Sequence, residues 1–363
     1  MYFPQLLTFV NIYPPILNLM PTRFIVLALL LAARLSFAQL IIGTPGTFGI
    51  KGKEVDTETM QRFKKTTTVF FYNEEDAAYF EDDSIRIKRN WKITPLFFVP
   101  VSRMEEFTEA LHGTYSFLDY HLTGSVREHS YVQDSWAFLD LRVPVPNGEF
   151  KNIARLALGP ETKDAVFLSR FYLNDQGESE RLIKILKNPM QSVESVHIDR
   201  AVKYLQTKAS FTNFYPGIFR YYLGYINNGL EAGETRGIND SPTDDMQLSA
   251  LAEGTLIVPE SILLDWDKRR KKFEALDPGK LFSKYDYKYK VLSAYEINDL
   301  FLSDSTGEGL FIMVPALSSG NQFINIYTPD GKWVYSDWEK SGGGFDARDI
   351  KEISKRISKA VKD

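Results

Sequence analysis

Apolar and polar positions along this chain follow the same order in two separate stretches. The first opens with Thr66 to Tyr72 (TTTVFFY), β-branched and aromatic throughout, which predicts a strand. Asn73 is placed to cap a helix with Glu74, Glu75 and Asp76 in its first turn and Arg86, Lys88 and Arg89 near its end, the charge order that suits a helix dipole. Pro95 stops it. Leu96 to Val101 (LFFVPV) predicts a second strand, Ser102 to Leu111 a short helix, and Tyr115 to Leu122 and Trp136 to Val143 two more strands.

The second stretch begins with a strand at Gly254 to Pro259 (GTLIVP). A helix follows at Pro278 with Asp277 as its cap, then a strand over Tyr287 to Ser293 and a short helix over Tyr295 to Leu302. Leu310 to Leu317 and Phe323 to Thr328 are strands, Pro329-Asp330-Gly331 is a turn signal, and Trp333 to Asp337 returns as a strand. Ile350, Ile353, Ile357 and Val361 then fall on one face of a closing amphipathic helix.

Both stretches therefore read β-α-β-α-β-β. A shared phrase accompanies the order: WKITPLFFVPVSRMEEF in the first matches YDYKYKVLSAYEINDLF in the second. The expectation is an α/β (α+β) protein with two similar units carrying mixed sheets. An internal duplication accounts for the match; chance recurrence of a common α/β order is the competing account.

The intervening residues differ. Glu178 to Leu186 and Val193 to Gln206 have helical patterning, and Pro216 opens a helix bearing Ile218, Phe219, Tyr222, Leu223, Tyr225 and Ile226 that closes near Gly229 or Gly233. The expected organisation is a leader over 1–38, a linker over 39–65, a first α/β unit over 66–149, a helical connecting segment over 150–250 and a second unit over 251–363.

The leader has its own pattern. Arg23 precedes an apolar run from Phe24 to Ala33, and Ser36 and Ala38 follow as small residues, so a cleaved secretory signal ending before Gln39 is expected, with Met20 as the true start. The run is about half the roughly 20 residues a spanning helix needs. Export to the periplasm or the extracellular space follows. Pro4, Pro14 and Pro15 make the first residues a poor membrane span, although a retained anchor is the alternative.

Composition narrows the function. The chain has 43 basic and 47 acidic residues, a net charge of −4, and no basic excess of the kind a nucleic-acid binder carries. With no Cys there are no disulfides, no thiol catalysis and no Cys-ligated metal.

The element order and the hairpin NQFINIYTPDGKWVYSD, with Thr328-Pro329-Asp330-Gly331 at its turn and Trp333 to Ser336 beyond, resemble the small α/β domain of TolB N-terminal and CsgG-like envelope proteins. The resemblance covers about 80 residues of each unit and rests on pattern. It implies a scaffold or accessory role in the envelope. The chain departs from it in lacking a lipid-anchor Cys and in carrying a helical insert. As a whole it also resembles exported envelope proteins of the Bacteroidetes type.

A search for chemistry is mostly negative: there is no G-x-S-x-G, H-E-x-x-H, G-x-x-x-x-G-K-[ST] or G-x-G-x-x-G. No catalytic residue, cofactor-binding residue or metal ligand is assigned, and no cofactor is expected. Four local features each have a plainer reading. His112, His121 and His129 cluster in sequence, apart from His197, but match no metal spacing and read as turn or surface histidines. Ser341-Gly342-Gly343-Gly344 precedes a helix, but Asp346 opposes an anion there, and a flexible connector is the plainer reading. Lys268-Arg269-Arg270-Lys271-Lys272, flanked by Asp265, Asp267 and Glu274, reads as a solvated helix face rather than a lipid-docking run. Trp333 and Tyr335 alternate with Val334 and so share a strand face, where filling a core outweighs stacking on a sugar.

The expected function is a non-catalytic binding or accessory module of the envelope, its partner a protein or surface component, with no nucleic acid and no integral span. A hydrolase of an envelope polymer or glycan is the alternative. It requires a cleft with two carboxylates about 5–10 Å apart. Small-ligand binding between the units is a third reading.

Overall fold

Strand order is the strongest regularity of the fold. The computed structural model describes residues 39–46, 51–108, 113–127, 130–146, 148–161, 164, 203–237, 243–267, 272–303, 307–318, 321–340 and 345–362. The first part contains β1 (Leu40–Ile42), β2 (Thr44–Pro45), β3 (Gly52–Lys53), α1 (Thr57–Phe63), β4 (Thr67–Tyr72), α2 (Ala77–Asp82), α3 (Ser84–Lys88), β5 (Leu96–Pro100), α4 (Glu105–Thr108), β6 (Tyr115–Arg127), β7 (Ser130–Pro144) and β8 (Phe150–Leu158). Its six-stranded sheet runs β1-β8-β7-β6-β4-β5. Strand β4 is parallel to both neighbours, and the other pairs are antiparallel.

The second part contains α5 (Pro216–Glu231), α6 (Asp245–Ala250), β9 (Thr255–Pro259), β10 (Leu264–Asp267), β11 (Lys272–Ala275), α7 (Pro278–Leu281), β12 (Lys288–Leu292), α8 (Ala294–Leu302), β13 (Leu310–Ser318), β14 (Asn321–Tyr327), β15 (Trp333–Lys340) and α9 (Ala347–Ala360). Its main sheet runs β12-β9-β13-β14-β15, with β9 parallel to β12 and β13 and antiparallel pairs beyond. Apart from β1, which has no counterpart in the second sheet, the two sheets share one order and one set of strand directions, so the chain is an α/β protein with two similar mixed-sheet units.

Helix α5 joins them. Phe219 packs on Phe70, Phe80 and Phe98 of the first unit. Tyr221, Tyr222 and Tyr225 pack on Phe301, Tyr327 and Trp333 of the second. One cluster of buried side chains consequently spans both sheets. Pro216 starts α5, the side chain of Asn298 accepts from the Gly217 amide at 2.8 Å, and Gly233 (φ +67°) follows its end. A Cβ on Gly217 would lie 2.7 Å from the Asn298 carbonyl oxygen, so glycine lets α5 and α8 close up.

The two units turn opposite sides toward α5. In the first, the β4-to-β5 crossover contributes Phe80 and Ile87 to the shared cluster, while Met104 and Phe107 after β5 join a separate cluster on the other face. In the second, Leu281 and Phe282 lie on the far face and Ile297 and Phe301 of α8 face α5.

Several boundaries differ from the sequence reading. Residues 39–65 are not a linker: Leu40, Ile41 and Ile42 are fully buried as β1, and α1 follows with Asp56 as its cap. Three apolar residues among glycines are too short a pattern to betray a strand. Residues 150–250 are not uniformly helical, because β8 completes the first sheet. A bulge opposite Leu141 and Arg142 displaces Ile153 and gives FKNIARLAL a mixed period. Helix α6 belongs with the second sheet through the bond from the Asp244 amide to the Val334 carbonyl, 3.0 Å. The helix after Asn73 is broken: a 3-10 turn at Glu74–Asp76, then α2 and α3. The expected helix at 178–186, and 193–202 of the next, lie outside the described residues; 203–207 are helical.

Candidate functional site

The site is built on α9. Asp346 caps it and Asp349 completes a reciprocal capping box, so the residue that opposed an anion at this helix start is occupied with the helix's own amides. Ile350, Ile353 and Ile357 are buried against Leu256, Val258, Met313 and Ile326, as the helical spacing predicts, whereas Val361 at the end is 56% exposed.

The opposite face carries Lys351, Lys355, Lys359 and Lys362, which follow one side of the helix. Together with Ser283, Lys284, Asp286, Ser354 and Ser358 they line an open groove of about 670 Å3. The serines hold its floor. Ser354 Oγ donates to Asp286 Oδ2 at 3.1 Å and accepts from the Asp286 amide at 3.3 Å, while Ser358 Oγ and the Tyr287 hydroxyl lie 2.9 Å apart. Lys355 pairs with Glu352 at 3.1 Å. Among the described residues Lys284, Lys351, Lys359 and Lys362 have no ion-pair partner.

On the other flank of α9, a cavity of about 200 Å3 is lined by Thr243, Asp245, Leu248, Tyr335, Ser336, Asp337, Arg356, Lys359 and Ala360. The Tyr335 hydroxyl donates to Asp337 Oδ2 at 2.8 Å. Burial, with the Asp337 carboxylate adding to it, holds this phenol above its ordinary range, so it remains a donor.

Two carboxylates also meet on the first sheet. Asp119 on β6 lies directly opposite Asp140 on β7. Each is matched by an arginine: Arg142 Nη1 reaches Asp119 Oδ2 at 3.0 Å, and Arg155 binds Asp140 through two bonds of 2.6 and 2.7 Å. Asn152 adds a bond to Asp140 at 2.7 Å. Burial pushes the Asp119 carboxyl up against the pull of Arg142, and the neighbouring His121 imidazole is lowered mainly by desolvation. With each acid held by its own guanidinium, this arrangement serves the sheet and offers no free acid–base pair.

Other sequence candidates fall elsewhere. His112, His129 and His197 and residues 341–344 lie outside the described residues, and among those described no three His, Cys, Asp or Glu residues gather to hold a metal. Of the Lys268–Lys272 run only Lys272 is described, as the first residue of β11, which pairs antiparallel with β10; 268–271 lie outside the described residues. Trp333 and Tyr335 do not share a face. A bulge at Ile326/Tyr327 sends Trp333 to Tyr225 and Tyr327, and Tyr335 to the α9 side; both are buried, so they form no open stacking platform. Among the described residues no helix is long and apolar enough to cross a membrane.

The α9 lysines went unremarked in the sequence reading, which followed the isoleucines on the same helix. Their four-residue spacing was the available signal.

Comparison with known proteins gives no match to a family model, a curated protein or a solved structure.

Proposed function

We propose that this protein is an exported, non-catalytic binding module of the cell envelope that docks on an anionic surface through the α9 groove. The observation that carries the reading is the gathering of four lysines without ion-pair partners among the described residues, in a chain of net charge −4. Like charges four residues apart on a helix repel, and a surface kept only for solubility intersperses both signs. The apolar face of α9 is already used by the sheet, so attachment is by charge rather than by insertion. A lysine near an anionic bilayer contributes about 1 kcal/mol, which makes the docking weak, reversible and salt-sensitive. The signal-like leader supports the export part of this reading, and the shared strand order supports descent of the two units from one duplicated ancestor.

The test is sedimentation with vesicles. The protein is expected to co-sediment with phosphatidylglycerol vesicles at low salt, to be released at high salt, and to ignore phosphatidylcholine. The triple variant K351Q/K355Q/K362Q is expected to stay in the supernatant. Wild-type protein that ignores phosphatidylglycerol, or a triple variant that binds as well, overturns the docking. An intact mass of the native protein starting at Gln39 tests the export signal separately.

A further inference from the structure

We infer that the cavity between α6, β15 and α9 is a binding site for a small zwitterion, a free amino acid or a molecule of that size with one ammonium and one carboxylate. Its walls carry opposite charges. Asp245 at the start of α6 and Asp337 on β15 form an acidic side; Arg356 and Lys359 on α9 form a basic side.

Acids and bases lining one cavity normally pair with each other. Here they do not. Among the described residues Asp245 and Lys359 have no ion-pair partner, and Arg356 pairs with Glu352 at 3.4 Å rather than with either cavity acid. Asp337 accepts from the Tyr335 hydroxyl and from the Trp338 amide, both at 2.8 Å. The contact with Glu352 is made by the buried Arg356 Nε and does not reach hydrogen-bond geometry, so among the described residues neither cavity acid holds the guanidinium. A buried donor without a full hydrogen bond is costly, whereas the exposed charges of Asp245 and Lys359 stay hydrated and open to a ligand. A ligand with an ammonium toward Asp245 and Asp337 and a carboxylate toward Arg356 and Lys359 matches the charges of both walls at once, and its carboxylate is an acceptor for the Arg356 guanidinium.

Size agrees. At about 30 Å3 per water, the cavity holds roughly six or seven waters, the bulk of a small amino acid rather than of a sugar chain or a nucleotide. The acidic wall is fixed by backbone and phenol contacts before any ligand arrives: Asp244 ties α6 to Val334 of β15, and the Tyr335 hydroxyl holds the Asp337 carboxylate. Only Lys359 is shared with the lysine groove, so the two sites are separable by mutation.

The experiment is isothermal titration calorimetry of the full chain with a panel of free amino acids, and with the deaminated and decarboxylated analogues of whichever binds best. At least one amino acid is expected to bind saturably, and each analogue, missing one charge, at least about tenfold more weakly. D245N and R356Q are each expected to weaken binding by about tenfold or more, the loss of one charge-assisted hydrogen bond. Asp245 is exposed, so D245N keeps the fold, as circular dichroism will show. The triple variant K351Q/K355Q/K362Q is expected to bind the amino acid as the wild type does. The proposal is overturned if no amino acid in the panel binds, if the analogues bind as well as the parent, or if folded D245N and R356Q bind unchanged.

Discussion

Arg155 holds Asp140 in a two-pronged grip across β8 and β7, Nε to Oδ1 at 2.6 Å and Nη2 to Oδ2 at 2.7 Å, with its guanidinium 4.3 Å from the centre of the Phe138 ring. Asp140 is 1% exposed, so removing either partner strands a charge in the sheet. R155M is expected to cost about 3–5 kcal/mol, and R155M/D140L much less than the sum of its single substitutions. Urea unfolding of the four proteins in that cycle measures the difference.

Asp76 predicts a pH dependence. Burial, and then the Glu75 carboxylate, push its carboxyl from 3.8 up to about 6. An acid with a raised folded value binds its proton more tightly in the native state. Its contribution is therefore complete below about pH 3.8 and declines as pH rises through about 6. Asp76 makes no capping bond to α2, so D76N loses nothing there. D76N is expected to flatten the stability slope in that window and to gain about 1–2 kcal/mol at neutral pH, read from urea melts at several pH values.

Because α5 is shared, the two units are expected to unfold together. Phe219 contacts aromatic rings from β4, α2 and β5, and neighbouring α5 residues contact α8, β14 and β15. Calorimetry should give one transition, and Phe219→Ala should lower it as a whole by about 3–5 kcal/mol. Two separate transitions, with only the first moved by the substitution, contradict this.

Gly331 is expected to tolerate no side chain. Its φ is +79°, and a Cβ there would stand 2.0 Å from Cδ1 of Tyr221. The Tyr221 hydroxyl donates to the Pro329 carbonyl and the Tyr225 hydroxyl to the Gly331 carbonyl, both at 2.9 Å, so the ring cannot withdraw without releasing the turn. Gly331→Ala should cost about 2 kcal/mol or more. Gly331→Asn, which eases the φ requirement, should not restore it. Thermal melts of both variants decide.

The lysine groove should matter for docking and not for stability. Replacing Lys351, Lys355 and Lys362 by Gln removes repulsive neighbours worth about 0.2–0.5 kcal/mol per pair, together with one exposed pair to Glu352. The triple variant is expected to melt within about 1 kcal/mol of the wild type. A large destabilisation would assign those lysines to the fold.

The sequence alone determined elements whose pattern is local. The uninterrupted apolar runs at Thr67–Tyr72 and Thr255–Pro259 are central parallel strands, the spaced isoleucines of α9 face a sheet, and Asn73, Asp277 and Gly331 sit where capping and turn chemistry place them. The order from β4 to β7, and of β9, α7, β12, α8 and β13 to β15, was legible for the same reason, whereas β1, β8 and the β10–β11 pair were not.

Tertiary structure decided the rest, because a residue's role depends on what lies across from it. Strand β1 exists because β8 is there to pair with it, not because Leu40–Ile42 announces a strand. The bulge at Tyr327 splits Trp333 from Tyr335, and the alternation along β15 gives no hint of it. The two units bury opposite faces against α5, so equivalent strands and helices answer to different neighbours. WKITPLFFVPVSRMEEF and YDYKYKVLSAYEINDLF each place a strand before a short helix, β5 before α4 and β12 before α8. The candidate sites depend on the fold in the same way: Asp245, Asp337 and Arg356 lie on three elements, and only the packing of α6 and α9 on β15 brings their charges around one cavity.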